Sequence, residues 1–357
     1  MTASLQLSPH DRVLVFVPHP DDETLATGEL IQAALAAGAR ARVVFATDGD
    51  NNPWPQRWLE RRWHIGPSDR ARWGGRRRCE AVAALAILGV EDSAVRFLGW
   101  PDQGLTTCLM EGDKAIAVLA EEISRFAPTH VAMPALADRH PDHSALRVML
   151  DLALLRTGAA ITRLGYVVHG LAPPANPRVV ASNEARQKRK QQAMRAHTTQ
   201  VALSRQRLLD LAARPERFDV AEATDATPPA QLTTPTVIRI PHRLRTSLQR
   251  RHELLLVLAA SNEILRLRVT LPRAQSTGSA ATRINQQGQS LSIGWTAHTL
   301  DVTLTATTDP LVALYAKLDR VGPRLVIFDR ERWRDAVELL QGPAPVLDHQ
   351  EAAAGLT

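Results

Sequence analysis

Two short runs of the sequence concentrate side chains that bind metals and move protons. The first is Pro18-His19-Pro20-Asp21-Asp22-Glu23 and the second is Asp138-Arg139-His140-Pro141-Asp142-His143. Each follows a short apolar run and precedes a helical pattern, so both fall at strand-to-helix turns. Buried imidazoles and carboxylates need partners, and two such clusters in corresponding places are hard to explain as packing. His19 and Asp22 are three apart at the entry of a helix and can point to one side. His143 completes a set of two imidazoles and one carboxylate. That set suits a divalent ion such as zinc, with Fe2+ or Mn2+ as alternatives, and leaves positions open for water and substrate. Such an ion lowers the pKa of water from about 15.7 toward 7. Asp21, beside a ligand, can take the proton as general base. His140, if protonated, can stabilise an oxyanion or protonate a leaving nitrogen, and Asp142 can hold that imidazole in orientation. From the residues alone Asp21 exchanges with Asp22, and His140 with His143.

Positioning these turns falls to an alternation of strands and helices. The apolar runs predict strands at Val13–Val17, Arg42–Ala46, Val95–Leu98, Val131–Met133 and Leu164–Val168. The longer patterns predict helices at Thr24–Ala37, Arg76–Leu88, Lys114–Phe126, Asp142–Arg156 and Glu184–His197, the first stopped by Gly38 and the second by Gly89. Repeated β-then-α order implies a doubly wound α/β domain with a parallel sheet covered on both faces. Both His/Asp clusters then lie outside the carboxyl ends of strands, where open α/β sheets place ligands.

Beyond Ala221 the character changes. Thr, Ala and Pro dominate up to Thr236, including Pro228, Pro229 and Pro235, which marks a linker. The expected division is a catalytic domain over 1–222, a linker over 223–236 and a smaller β-rich accessory domain over 237–357. Period-two alternation supports the last, at Leu265/Leu267/Val269/Leu271, Leu291/Ile293/Trp295 and Leu300/Val302/Leu304. A further strand is expected at Leu325–Phe328 and a short helix over Arg332–Leu340. Antiparallel pairing is expected, and periodicity does not separate a sandwich from a barrel.

Composition bounds the rest. With 357 residues, 45% hydrophobic and 22% charged, the chain is read as a globular protein of two domains. No run of about 18 apolar residues offers a membrane span, and the N-terminus lacks the pattern of a secretory signal. Cys79 and Cys108 cannot build a disulfide framework, which fits a reducing, cytoplasmic setting. Net charge is +6, but only four of the 43 basic residues are lysines and the arginines are spread along the chain, so no nucleic-acid partner is expected. Neither a Gly-x-Ser-x-Gly elbow nor a Gly-rich nucleotide loop is present. The stretch 51–75 holds Trp54, Trp58, Trp63 and Trp73 interleaved with Arg57, Arg61, Arg62, Arg70 and Arg72. It reads as a lid whose indoles stack on sugar rings, or as a packed insert. His169, at a strand end, either lines the pocket or is an ordinary satisfied histidine. Oligomeric state is left open.

The two His/Asp runs together resemble the PIG-L/LmbE family of metal-dependent N-acetylglucosamine deacetylases. Softer matches are Thr47-Asp48-Gly49, Arg77 with Glu80 and Leu88-Gly89-Val90, Leu98-Gly99-Trp100-Pro101-Asp102, and Lys190 with His197 and Gln200. The resemblance covers about residues 10 to 222 and implies a Rossmann-like fold, a zinc cofactor and an amino-sugar or glycoconjugate substrate. It assigns the metal to His19, Asp22 and His143, the general base to Asp21 and oxyanion stabilisation to His140. Arg77 and Asp102 are carried over as substrate-binding residues. Cys79 stands where many relatives have an acidic residue. The implied reaction is hydrolysis of an N-acetyl group; alternatives are a larger amide conjugate as substrate, or a carbohydrate-binding protein with a metal-stabilised pocket.

Overall fold

Val13 to Val17 carry only apolar side chains, and all five are buried. Such a strand can sit only at the centre of a covered sheet. The computed structural model describes residues 4–170, 177–222, 236–241, 251–260, 263–271, 277–283, 290–296, 299–305, 312–321 and 331–335. In it β1 (Arg12–Val17) pairs in parallel with β2 (Arg40–Thr47) on one side and β4 (His130–Pro134) on the other. β3 (Val95–Trp100) extends the sheet beyond β2, and β5 (Thr162–Tyr166) beyond β4, both in parallel. Two further strands, β6 (Pro177–Val179) and β7 (Arg217–Ala221), pair antiparallel and close the order β3-β2-β1-β4-β5-β7-β6.

The helices are α1 (Asp22–Ala36), α2 (Pro53–Glu60), α3 (Pro67–Leu88), α4 (Leu105–Met110), α5 (Lys114–Phe126), α6 (Pro141–Thr157), α7 (Glu184–Ala196) and α8 (Thr198–Ala212). Because β2 and β4 flank β1, the chain reverses direction across the sheet between β1 and β4. That switch opens a crevice at the carboxyl ends of these two strands. His19 follows β1 and His140 follows β4, so the order of strands alone brings both clusters to one crevice.

Several boundaries differ from expectation for local reasons. The 51–75 stretch holds α2 and the first turns of α3, which starts at Pro67 rather than Arg76. Pro53 and Pro67 sit at helix first turns, where a missing N–H costs nothing. β5 ends at Tyr166 instead of Val168, because Asp138 draws the Val168 and His169 N–H groups to its own carboxylate at 2.7 and 3.0 Å.

The chain divides into two compact units, Met1–Thr227 with Arg324–Trp333, and Pro228–Pro323 with Arg334–Thr357. The second unit carries two four-stranded antiparallel sheets. One is ordered β10 (Ile264–Leu271), β9 (Arg251–Ala259), β14 (Ala313–Val321), β15 (Arg334–Asp335). The other is ordered β11 (Thr277–Arg283), β12 (Ser290–Thr296), β13 (Thr299–Thr305), β8 (Thr236–Pro241). Leu254, Leu256 and Leu258 of the first sheet share a core with Ile293 and Val302 of the second, which makes the unit a sandwich. The helix expected over Arg332–Leu340 is corrected at Arg334–Asp335, which pair with Tyr315 and Ala316 as strand; 336–340 and the strand expected at Leu325–Phe328 lie outside the described residues, as does 223–235 of the expected linker.

Candidate metal centre and active site

At the end of β1 the chain turns through Pro18-His19-Pro20-Asp21 into α1. Thr47, the last residue of β2, ties this turn down: its N–H and Oγ1 both donate to the Pro18 carbonyl, at 3.0 and 2.9 Å. Asp22 is buried in the first turn of the helix. Its Oδ2 stands 3.2 Å from Nδ1 of His19 and 3.2 Å from Nε2 of His143. The expected ligands therefore meet at one carboxylate oxygen, with two ring nitrogens facing it.

Each imidazole is backed on its other side by a carboxylate. Nε2 of His19 lies 3.2 Å from Asp102 Oδ1 and 3.4 Å from Asp142 Oδ2. Nδ1 of His143 lies 3.1 Å from Asp138 Oδ2. Metal-ligating histidines are oriented in this way by carboxylates behind them. Burial disfavours a charged His19, yet its contacts to Asp102, Asp142 and Asp22 raise its pKa well above the usual imidazole value. Burial likewise opposes charge on His143, and Asp138 and Asp22 more than reverse this, to about 10. Burial would raise the Asp22 carboxyl, but His143 and His19 pull it well below the ordinary carboxylate range.

The residues fit a divalent ion. Both ring nitrogens of His143 are fully buried, and neither meets the geometry of a hydrogen bond despite the nearby carboxylates. Ring nitrogens of His19, His140 and His143 also lie within 4.8 Å of one another. A pocket of converging imidazoles and carboxylates, with a buried nitrogen left unbonded, is a cation site by the chemistry of its donors.

Asp21 sits at the mouth. Its backbone has φ 111°, ψ −30°, outside the regions that non-glycine residues favour. Its N–H donates to Glu23 Oε2 at 2.8 Å, and Glu23 Oε1 in turn meets His197 Nε2 at 2.8 Å. Arg77 braces the same turn from α3, with Nη1 donating to the Gly49 carbonyl at 2.6 Å and Nη2 to that of Pro20. Burial pushes the Asp21 carboxyl up to about 6; the Arg77 guanidinium, 3.5 Å away, opposes this, and Asp22 and Glu23 add to it.

Several expected residues meet partners within the protein. Arg77 is 4% exposed and its fork reaches two carbonyls and Asp21. Asp102 contacts His19 and accepts the Asn51 N–H at 2.8 Å. The Asp142 carboxylate accepts the Gln103 and Leu105 N–H groups at 2.7 and 3.2 Å and faces His19, while the Asp142 backbone N–H donates to His140 Nδ1, 3.2 Å away. That bond places the single ring proton of a neutral His140 on Nε2. Burial, then the neighbouring His19, His143 and His169, hold the His140 pKa well below the usual value, which favours the neutral ring.

Sequence reasoning assigned no role to Asp138, although it lies within the second cluster. Its carboxylate takes the N–H groups of His140, Val168 and His169 and backs His143. The Asp-x-His spacing of an Asx turn was the available signal. His169 belongs to the site: its ring centroid is 5.1 Å from that of His143 and 5.6 Å from that of His140. Of the tryptophans in 51–75, Trp73 is buried, whereas Trp54, Trp58 and Trp63 are 60%, 69% and 85% exposed.

Residues 14–154 match the family described as PIG-L: GlcNAc-PI de-N-acetylase. Over 178 residues the chain is 32% identical to the 1D-myo-inositol 2-acetamido-2-deoxy-alpha-D-glucopyranoside deacetylase of Mycolicibacterium vanbaalenii, which covers 44% of this chain and 59% of that protein. The enzyme of the same name from Mycolicibacterium gilvum is 37% identical over 149 residues, 37% of this chain and 50% of its own. The chain thus spans between half and three-fifths of these relatives. Among solved structures, a triple mutant of a deacetylase from the teicoplanin biosynthetic pathway is 24% identical, covers 60% of this chain and 100% of its own, and gives a TM-score of 0.48.

Proposed function

We propose, from the PIG-L (LmbE-like) deacetylase-family domain that this chain carries, that it is a divalent-metal-dependent hydrolase removing the N-acetyl group of an N-acetylglucosamine-type sugar or glycoconjugate. The observation that carries this reading is the convergence of His19 Nδ1 and His143 Nε2 on Asp22 Oδ2, each at 3.2 Å, with Asp21 poised at the mouth. His19, Asp22 and His143 would hold the ion. When bound, zinc, or Fe2+ or Mn2+ in its place, supplies a Lewis acid for the amide carbonyl and acidifies water.

The chain's own residues do the rest. Asp21, with a carboxyl raised to about 6, is ionised at neutral pH yet basic enough to accept a proton from the attacking water. That proton, held on the Asp21 carboxyl, is then available to the departing amine nitrogen. His140, neutral and protonated at Nε2, donates a hydrogen bond to the oxygen where negative charge develops. Asp102, Asp142 and Asp138 keep the ligand rings in register, and burial of the whole set excludes bulk water. Trp54, Trp58 and Trp63 offer exposed aromatic faces for the acceptor side of the substrate, in the segment that follows the Asn51–Asp102 contact.

The test is acetate release by the full chain from a panel of N-acetylglucosamine glycosides, with larger N-acyl conjugates as second arm. Stoichiometric acetate and free amine support the reading. Binding of the glycosides with no acetate at saturating zinc overturns it in favour of a carbohydrate-binding protein.

A further inference from the structure

The second cluster spans the turn after β4 and the first turn of α6, and both ends of that stretch meet a dipeptide from far along the chain. Nη1 of Arg332 donates to the carbonyl of Leu136 at 3.0 Å, before the cluster begins. The backbone N–H of Trp333 donates to Ser144 Oγ at 3.0 Å, immediately after His143. Trp333 is wholly buried, and its indole N–H points to Thr106 Oγ1 at 3.4 Å. Thr106 adjoins Leu105, whose N–H holds the Asp142 carboxylate. Ser144 Oγ donates to the Pro141 carbonyl at 3.0 Å, so the hydroxyl that receives Trp333 also closes the first turn of α6. Arg332 and Trp333 belong to the same compact unit as the site, and both lie outside the matched 14–154 stretch.

We infer that Arg332 and Trp333 are positioning residues for the site, anchoring the two ends of the turn and first helical turn that carry Asp138, His140, Asp142 and His143. Between these anchors the stretch holds three groups that must stay in register: the carboxylate behind His143, the donor His140 and the ligand His143 itself. The buried indole holds Trp333 against Thr106, and the two hydrogen bonds fix where the stretch begins and ends. Groups that only orient a ligand still change metal affinity or rate by about 10–100-fold when removed. The inference rests on the metal-hydrolase reading for its rate and metal measurements, but not for its backbone measurement.

The experiment compares full-length wild type with Trp333→Ala, Trp333→Phe and Arg332→Ala. Thermal melting, amide hydrogen exchange, Co2+ affinity, kcat and KM are read on each. For Trp333→Ala, which keeps the backbone donor to Ser144 but empties the buried ring position beside it, the expected result is exchange faster by about tenfold or more within 136–144, with β1 amides unchanged. Co2+ affinity and kcat fall together by about 10–100-fold while KM stays near wild type. Trp333→Phe, which refills the buried position with an aromatic ring, recovers most of the affinity. Arg332→Ala shows the same pattern more weakly. A folded Trp333→Ala with wild-type exchange at 136–144 and wild-type Co2+ affinity overturns the inference. If Trp333→Ala does not fold, Arg332→Ala decides by the same two readouts, because it deletes one side chain and leaves the core intact. If the wild type takes up no Co2+, the hydrolase reading fails, and exchange at 136–144 still decides the anchor.

Discussion

Nε2 of His143 stands 3.2 Å from Oδ2 of Asp22, joining the head of α6 to the head of α1 across the reversal between β1 and β4. In the metal-free protein this is an ion pair between fully buried partners, and Asp138 completes it from the other side. Removing the imidazole leaves two buried carboxylates facing each other. His143→Ala should therefore lose stoichiometric metal, and should also destabilise the chelated protein by about 3 kcal/mol or more. Metal analysis and urea unfolding in chelator check both parts.

Asp21 combines strain with function. Its φ of 111° strains the backbone, and its proximity to Asp22 and Glu23 costs stability that a neutral side chain recovers. Asp21→Asn should keep its metal, melt at or above the wild-type temperature and lose about 10²–10⁴-fold in turnover. Turnover near wild type would rule Asp21 out as the base.

Burial raises the Asp21 carboxyl to about 6, and on the proposed mechanism activity needs its ionised form. Rate should therefore be full above that pH and fall as pH drops through it. Arg77 does most to hold this value down, ahead of His197, so Arg77→Met should move the acid limb of kcat/KM to higher pH. Gly49→Ala should act in the same direction, because a Cβ at Gly49 would lie 1.9 Å from Arg77 Nη1 and push the guanidinium away. Profiles of both variants against wild type decide it; an unmoved limb contradicts the positioning role.

Asp102 distinguishes orientation from recognition. If it orients His19, Asp102→Asn weakens metal affinity by about 10–100-fold and leaves KM unchanged. A raised KM with intact metal affinity would mark it as a substrate contact.

Much of this site was legible because its chemistry sits in two contiguous runs, each at the end of an apolar strand. Val13–Val17 and Lys114–Phe126 carry periodicities strong enough to place them without tertiary information. The convergence of His19, Asp22 and His143 followed from parallel strand order. What the sequence hid depends on contacts between distant segments. Nothing local shows that the Arg77 fork turns inward to Gly49 and Pro20, or that the Asp142 carboxylate faces His19. α2 and the start of α3 were obscured by prolines, tryptophans and the Gly74-Gly75 pair, which blur helical period. α8 was missed because it follows α7 almost without a break, with His197 between them. β7 runs antiparallel after a helix pair, a connection that β-then-α alternation does not anticipate.

The most direct measurement is acetate release from an N-acetylglucosamine glycoside by the full chain, before chelation, after chelation and after adding back one equivalent of Zn2+, Fe2+ or Mn2+, with His143→Ala in parallel. The expected result is activity lost on chelation, restored by a divalent ion in the wild type and never restored in His143→Ala. Release that survives chelation, or that His143→Ala retains, would contradict a site built on His19, Asp22 and His143.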